Sequence, residues 1–209
     1  DGTDGSNAVR SYNEGDFNSI QSVEMVEGQF PLRIERCEIR DGMCGDGEFR
    51  GGFGLRRDVR ILGERGALSV LSEKNVIPPY GVEGGSNGAA NNFTVIRDGE
   101  VTPPSDVPGK VSGFVLRTGD IVREETAGGG GYGDRLKRDP ENVLADVLDG
   151  YLTESEAEHR YGVIVESGIV GSVATAAKRS ELAKMKISVL LELANEELTD
   201  GPRRQFIVP

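Results

Sequence analysis

The chain has 209 residues with 24 basic and 35 acidic side chains, and its net charge of −11 argues against nucleic acid or an anionic membrane surface as a partner. Hydrophobic residues make up 36 % and glycines number 30, so the core is thin for the length and a partner surface is expected to complete it. No apolar run approaches the roughly 18 residues of a membrane span, a single histidine and two cysteines are too few for a tetrahedral Cys/His zinc site, and a cytoplasmic location is expected.

Residues 1–29 are polar and read as an extended arm, with Met25 and Val26 as its anchors. Phe30 to Arg40 reads as the first strand. Leu32 and Ile34 alternate with charged residues, then Cys37 and Ile39 take the other parity, and a slip of one in a period of two marks a β-bulge. Asp41 to Gly47 reads as a turn, and Glu48 to Gly54 sets glycines against Phe49 and Phe53, as at a closely packed sheet corner. Cys37 and Cys44 are expected as reduced thiols.

Leu55 to Leu62 reads as a second strand with Leu55, Val59 and Ile61 inward. Arg56, Arg57 and Arg60 on it are either a solvated face or a docking site for an acidic or phosphorylated group. Ala67 to Ser72 reads as an apolar central strand. Pro78-Pro79 cannot continue it, and Val82 to Ala90 is a glycine-rich loop. Asn92 to Arg97 reads as a strand closed by an Asp98-Gly99 hairpin turn. Glu100 to Lys110, with three prolines, reads as a surface connection; Val111 to Leu116 is another strand, and Ile121 to Thr126 runs into the densest glycine segment.

In Gly128-Gly129-Gly130-Gly131-Tyr132-Gly133-Asp134 five glycines fall in six positions. Glycine lets another backbone or a ligand come close, but four in succession carry a large ordering entropy. The segment is therefore a flexible connector, an anion cradle of backbone N–H groups, or a close contact with another chain. It lacks the G-x-x-x-x-G-K-[ST] pattern of a Walker A loop.

Beyond Asp134 the texture becomes helical. Asp139-Pro140-Glu141 is a helix start, with Val143, Leu144, Val147 and Leu148 at helical spacing and Gly150 as the stop. Thr153 to Glu156 matches a capping box. His159 reads as a surface or packing residue, and Tyr161 to Val165 as a short strand. Ser172 to Met185 is a third helix, which Ile187 to Leu198 continues or follows with a fourth; Arg203 to Pro209 reads as an extended tail. Strands followed by helices predict an α+β fold, with an antiparallel β-rich N-terminal layer and a C-terminal helical segment. The boundaries read as an arm over 1–29, a β-rich domain with glycine-rich loops over 30–134, and a helical segment over 135–209.

The ordered series Phe30-Pro31-Leu32-Arg33, Gly45-Asp46-Gly47-Glu48-Phe49-Arg50-Gly51-Gly52-Phe53-Gly54, Ser69-Val70-Leu71-Ser72, Pro78-Pro79-Tyr80-Gly81, Gly84-Gly85, Gly119-Asp120, Gly128 to Asp134, Arg138-Asp139-Pro140-Glu141 and Tyr161-Gly162-Val163 resembles the C-terminal part of the B-type subunit of the hydantoinase/oxoprolinase family. That resemblance implies a hetero-oligomeric, ATP-dependent enzyme acting on a cyclic amide or a ketone, among them hydantoinases, 5-oxoprolinase, caprolactamase and acetone or acetophenone carboxylases. It implies an A-type nucleotide-binding subunit and the remaining N-terminal part of a B-type subunit as partners, and a small-molecule substrate. ATP and a divalent metal are expected on those partner chains, with no cofactor and no metal ligand in this one. The sequence then represents a separately encoded small subunit, a processed product or a fragment of a B-type chain.

No catalytic residue carries over. Candidate cofactor contacts are Gly128, Gly129, Gly130, Gly131, Tyr132 and Asp134, with Arg56 and Arg57 as further cationic donors for developing charge. Ring-amide hydrolysis coupled to ATP is the leading reading; ketone carboxylation and a non-catalytic scaffold within the same assembly are the alternatives.

Overall fold

The computed structural model describes residues 2–8, 22–40 and 43–199, with side chains to residue 185. The fold is α+β, with antiparallel strands first and helices after them. It divides after Asp139 into two compact units.

The first unit opens its regular structure with α1 (Val23–Gln29), capped by the Ser22 side chain on the Met25 amide. The end of the predicted arm is thus helical, because Ser22 supplies the N-cap acceptor. Val26 is buried, whereas Met25 stays half exposed and is not an anchor. The predicted arm between residues 9 and 21 lies outside the described residues.

The strands β1 (Leu32–Ile39), β2 (Leu55–Ile61), β7 (Ile121–Glu125), β4 (Asn92–Arg97) and β5 (Glu100–Thr102) form one antiparallel sheet in that order. The parity slip in β1 is a register shift between Ile34 and Arg36. Asp98 and Gly99 take positive φ, 53° and 85°, and join β4 to β5 as a two-residue hairpin turn. β5 lies inside the stretch read as a connection: Glu100 to Thr102 can pair because all three prolines fall after it.

β3 (Arg65–Leu71) is not central. It pairs only with β6 (Lys110–Arg117) in a two-stranded ribbon, and Leu71 is 87 % exposed. Its alternating burial shows one face covered and one bare, which an apolar sequence alone does not distinguish from a buried strand. Leu68, Phe114 and Leu116 of the ribbon pack on Ile61, Val95 and Val122 of the sheet, and this is the unit's aliphatic core.

The second unit holds α2 (Pro140–Leu148), α3 (Glu154–Tyr161), the small hairpin β8 (Val165–Glu166) and β9 (Ile169–Val170), and α4 (Ser172–Thr199). Thr153 and Glu156 form the capping box that the sequence announced. Gly162 takes φ 63° and ends α3, so Tyr161 is the last helical residue and the strand begins only at Val165. Val143, Leu152, Ala157, Tyr161, Val163 and Val165 make a separate core. His159 is exposed on α3, with Nδ1 2.7 Å from the Ser155 carbonyl. The helical segment beyond Ser172 is one continuous α4; the predicted tail from Arg203 lies outside the described residues.

Candidate functional site

The glycine-rich segments converge into a bundle of irregular extended backbone in the first unit. The central chain is 126–134. Gly45 donates to the Gly129 carbonyl (2.8 Å) and Gly129 to Gly52 (2.8 Å), while Tyr132 and Phe49 exchange bonds of 2.9 and 3.0 Å. On another side Gly131 donates to Ser86 (2.9 Å), Gly128 to Ala89 (3.1 Å), Val82 to Gly131 (2.9 Å) and Gly133 to Val82 (3.0 Å). The two flanking segments also bond each other, Ser86 to Asp46 (2.8 Å) and Ala89 to Met43 (3.0 Å). Each of three chains therefore bonds to the other two, a closed arrangement that a flat sheet cannot give.

Such an approach requires glycine. A Cβ on Gly130 would overlap the Tyr80 carbonyl oxygen and lie 2.5 Å from its carbon; one on Gly51 would overlap the Gly129 carbonyl. These contacts are with backbone, which cannot turn aside as a side chain can. The ordering entropy of four successive glycines is offset by a dense set of interchain hydrogen bonds.

Residues 2–8 are fastened to the same bundle. Gly5 donates to Arg50 (2.8 Å) and Ala8 to Phe53 (2.8 Å). The Asp4 carboxylate accepts from the Arg50 amide (2.9 Å) and from Arg138 Nη2 (2.7 Å), and Arg138 is fully buried. Burial alone would raise the Asp4 carboxyl, but Arg138 and Arg50 together outweigh it and hold it below its ordinary value.

The amides of Gly128, Gly129 and Gly131 are thus committed to backbone carbonyls, which takes three of the donors an anion cradle would use. Asp134 turns its carboxylate onto the Leu136 amide (3.0 Å) and caps the 3-10 turn Arg135–Lys137. Tyr132 is the one expected contact that presents a large side chain outward: it is about half exposed, its ring 6.4 Å from that of Phe49.

Arg56 and Arg57 do not act together, because neighbours on a strand point to opposite faces. Arg56 faces Asp58, whose buried carboxylate receives Arg123 at 2.9 Å through both Nε and Nη2 and Arg56 Nη2 at 3.3 Å. Burial would raise Asp58, but these guanidinium bonds outweigh it and lower its pKa. Asp120 is held in the same way, its pKa lowered chiefly by its hydrogen bond from Arg97 (2.6 Å). Sequence reasoning missed these pairs; for Asp58 the signal was the alternation of charge through β2 and β7, which leaves every second position facing one surface.

Arg57 faces the other way, into a cavity of about 330 Å³ between the sheet, the β3–β6 ribbon and α1. Leu32, Ile34, Val59, Ile61, Leu68 and Leu116 line it, and Glu124, in register with Arg57, lies beside it. Arg57 Nε is buried without a hydrogen-bond partner among the described residues. Burial pushes the Glu124 carboxyl up, with the charge of Arg57 opposing. Among the described residues no group of three or more His, Cys, Asp and Glu side chains could hold a metal ion.

An antiparallel sheet locked to a glycine-bonded bundle defines this as an α+β module built for close backbone contact. The family model described as hydantoinase B/oxoprolinase matches residues 1–135, and the chain belongs to that family. It is 35 % identical over 164 residues to the B-type component assigned to a D-/L-hydantoinase in Pseudomonas sp. (strain NS671), covering 78 % of this chain and 27 % of that one. It is 31 % identical over 173 residues to the beta chain of the caprolactamase of Pseudomonas jessenii, covering 78 % and 29 %. The solved ATP-dependent caprolactamase from Pseudomonas jessenii superposes with a TM-score of 0.62 at 28 % identity, over 76 % of this chain and 28 % of that one. Acetone carboxylase in its nucleotide-free structure gives a TM-score of 0.70 at 23 % identity, over 89 % and 29 %, a likeness of fold. The chain spans less than a third of the length of these relatives.

Proposed function

We propose that the chain is the glycine-locked module of a B-type component in an enzyme that opens a cyclic amide by hydrolysis coupled to ATP. The observation that carries this reading is the three-chain bundle. It is assembled from Gly45 to Gly54, Pro79 to Ala89 and Gly128 to Gly133, all within the span that the family model matches. Hydantoinase and caprolactamase relatives at 35 % and 31 % identity favour a ring amide as substrate. Ketone carboxylation rests on likeness of fold alone.

In this reading no nucleotide or divalent metal is assigned to the described residues of this chain. The amides of Gly128, Gly129 and Gly131 are occupied, and the described residues offer no group of three or more acidic, His and Cys ligands. In this reading ATP and metal belong to an A-type subunit and to the longer part of a B-type polypeptide. This chain holds their relative placement through Tyr132 and the rim of the bundle, and alone it turns nothing over.

Reconstitution tests this. The chain, an A-type subunit and the longer B-type polypeptide from the same source would be combined in all pairs and together, with hydantoin or caprolactam and ATP. ADP and ring-opened product should appear only when all three are present. Ring opening by the chain alone, or turnover that needs bicarbonate and a ketone, would refute the reading.

A further inference from the structure

The cavity beside Arg57 has no part in the bundle or in the assembly reading above. Its walls are largely aliphatic; Arg57 and Glu124 meet in it, and the exposed Arg65 also lines it. Arg57 and Glu124 are directly opposed across β2 and β7, a geometry that brings their Cβ atoms to about 5 Å. Among the described residues Arg57 Nε finds no acceptor, and burial pushes the Glu124 carboxyl up while the charge of Arg57 opposes. Buried polar groups without partners are rare, and Arg57 Nε calls for a partner that the described residues do not supply. Asp58 on the opposite face shows the contrast, since its carboxylate is met by two guanidinium groups.

The pair carries one positive and one negative group, so a simple anion would satisfy Arg57 and oppose Glu124. A zwitterion satisfies both. The volume of about 330 Å³ has room for a small ligand of about nine to twelve non-hydrogen atoms. It falls at the small end of ligand pockets. We propose that this cavity binds an apolar α-amino acid of leucine to phenylalanine size, its carboxylate on Arg57, its ammonium on Glu124 and its side chain against Leu32, Val59, Ile61 and Leu116. Arg suits the carboxylate because its fork matches two oxygens.

Calorimetric titration of the 209-residue chain, after its cooperative melting has been verified, tests the site. L-leucine and L-phenylalanine should bind saturably, and 4-methylpentanoate and 3-methylbutylamine, each lacking one charge, should bind at least about tenfold more weakly. Arg57→Gln should weaken leucine at least about tenfold and leave 3-methylbutylamine within about threefold, and Glu124→Gln should do the reverse with 4-methylpentanoate. No saturation by either amino acid up to about 10 mM would overturn the proposal, as would leucine binding indifferent to both substitutions. Binding that vanishes in the chain's native assembly would also overturn it, in favour of a polypeptide occupant.

Discussion

Gly130→Ala is the sharpest perturbation of the bundle. The new methyl would overlap the Tyr80 carbonyl oxygen and sit 2.9 Å from the Gly81 amide nitrogen. Both are backbone, so the 79–89 segment must move off the central chain. The two nearest bonds between these segments, Gly131 to Ser86 (2.9 Å) and Val82 to Gly131 (2.9 Å), then lengthen or break. Each such loss costs about 1 kcal/mol net, or up to about 3 where a group is left buried and unpaired. Forcing an extra methyl into a packed interior adds about 1–3 kcal/mol. The sum, about 3–9 kcal/mol, is a large share of a domain's usual stability of about 5–15 kcal/mol. Urea unfolding and thermal melting would show it, the latter as a fall of roughly 10 °C or more. Gly28→Ala is the internal control: it lies in α1 with nothing within 4 Å of the added Cβ, and should gain up to about 1 kcal/mol from helix propensity. A Gly130→Ala variant that loses less than about 1 kcal/mol would refute close backbone packing as the reason for the glycine.

Asp4→Asn should cost roughly 1–3 kcal/mol in urea unfolding, because it takes one carboxylate from the fully buried Arg138 guanidinium. Asp58 and Asp120 have folded pKa values below the ordinary 3.8, so their contributions are present above that value and are lost as pH falls through the folded one. Asp120→Asn should therefore destabilise at pH 7, with the difference closing in strong acid. Glu124 has the opposite sign: its folded pKa lies above the ordinary 4.5, so its contribution is present below that value and is lost as pH rises. Glu124→Gln should accordingly melt higher than the parent at pH 7 and alike below about pH 4.5. Tyr132→Ala should shift melting by less than about 1 kcal/mol, since its ring is half exposed, yet lower the yield of reconstituted complex; unchanged assembly and turnover would remove it from the interface.

Much of the fold was legible because its signals are local. The bulge in β1 follows from a parity slip, the Asp98-Gly99 turn from dipeptide chemistry, and the α3 cap from Thr153 and Glu156. The place of β3 was not, since a run such as Ala67 to Leu71 is apolar in a central strand and in a half-covered ribbon alike, and pairing decides between them. The glycine segments were legible as unusual but not as mutual partners. Their bonds join residues about 40 to 85 positions apart, as Gly45 with Gly129 and Ser86 with Asp46, and no spacing within one segment encodes that. The same holds for Arg57: its type suggested an anion contact, but only the register with Glu124 and the ribbon above it place it in a cavity.

Hydrogen exchange over Thr126 to Asp134, read by mass spectrometry on the folded chain, tests the closed bundle most directly. The amides of Gly128, Gly129 and Gly131 should exchange only through global opening, as slowly as those of β2 and β7. Exchange of these three at the rate of an exposed loop would contradict a locked bundle and return the segment to an open cradle.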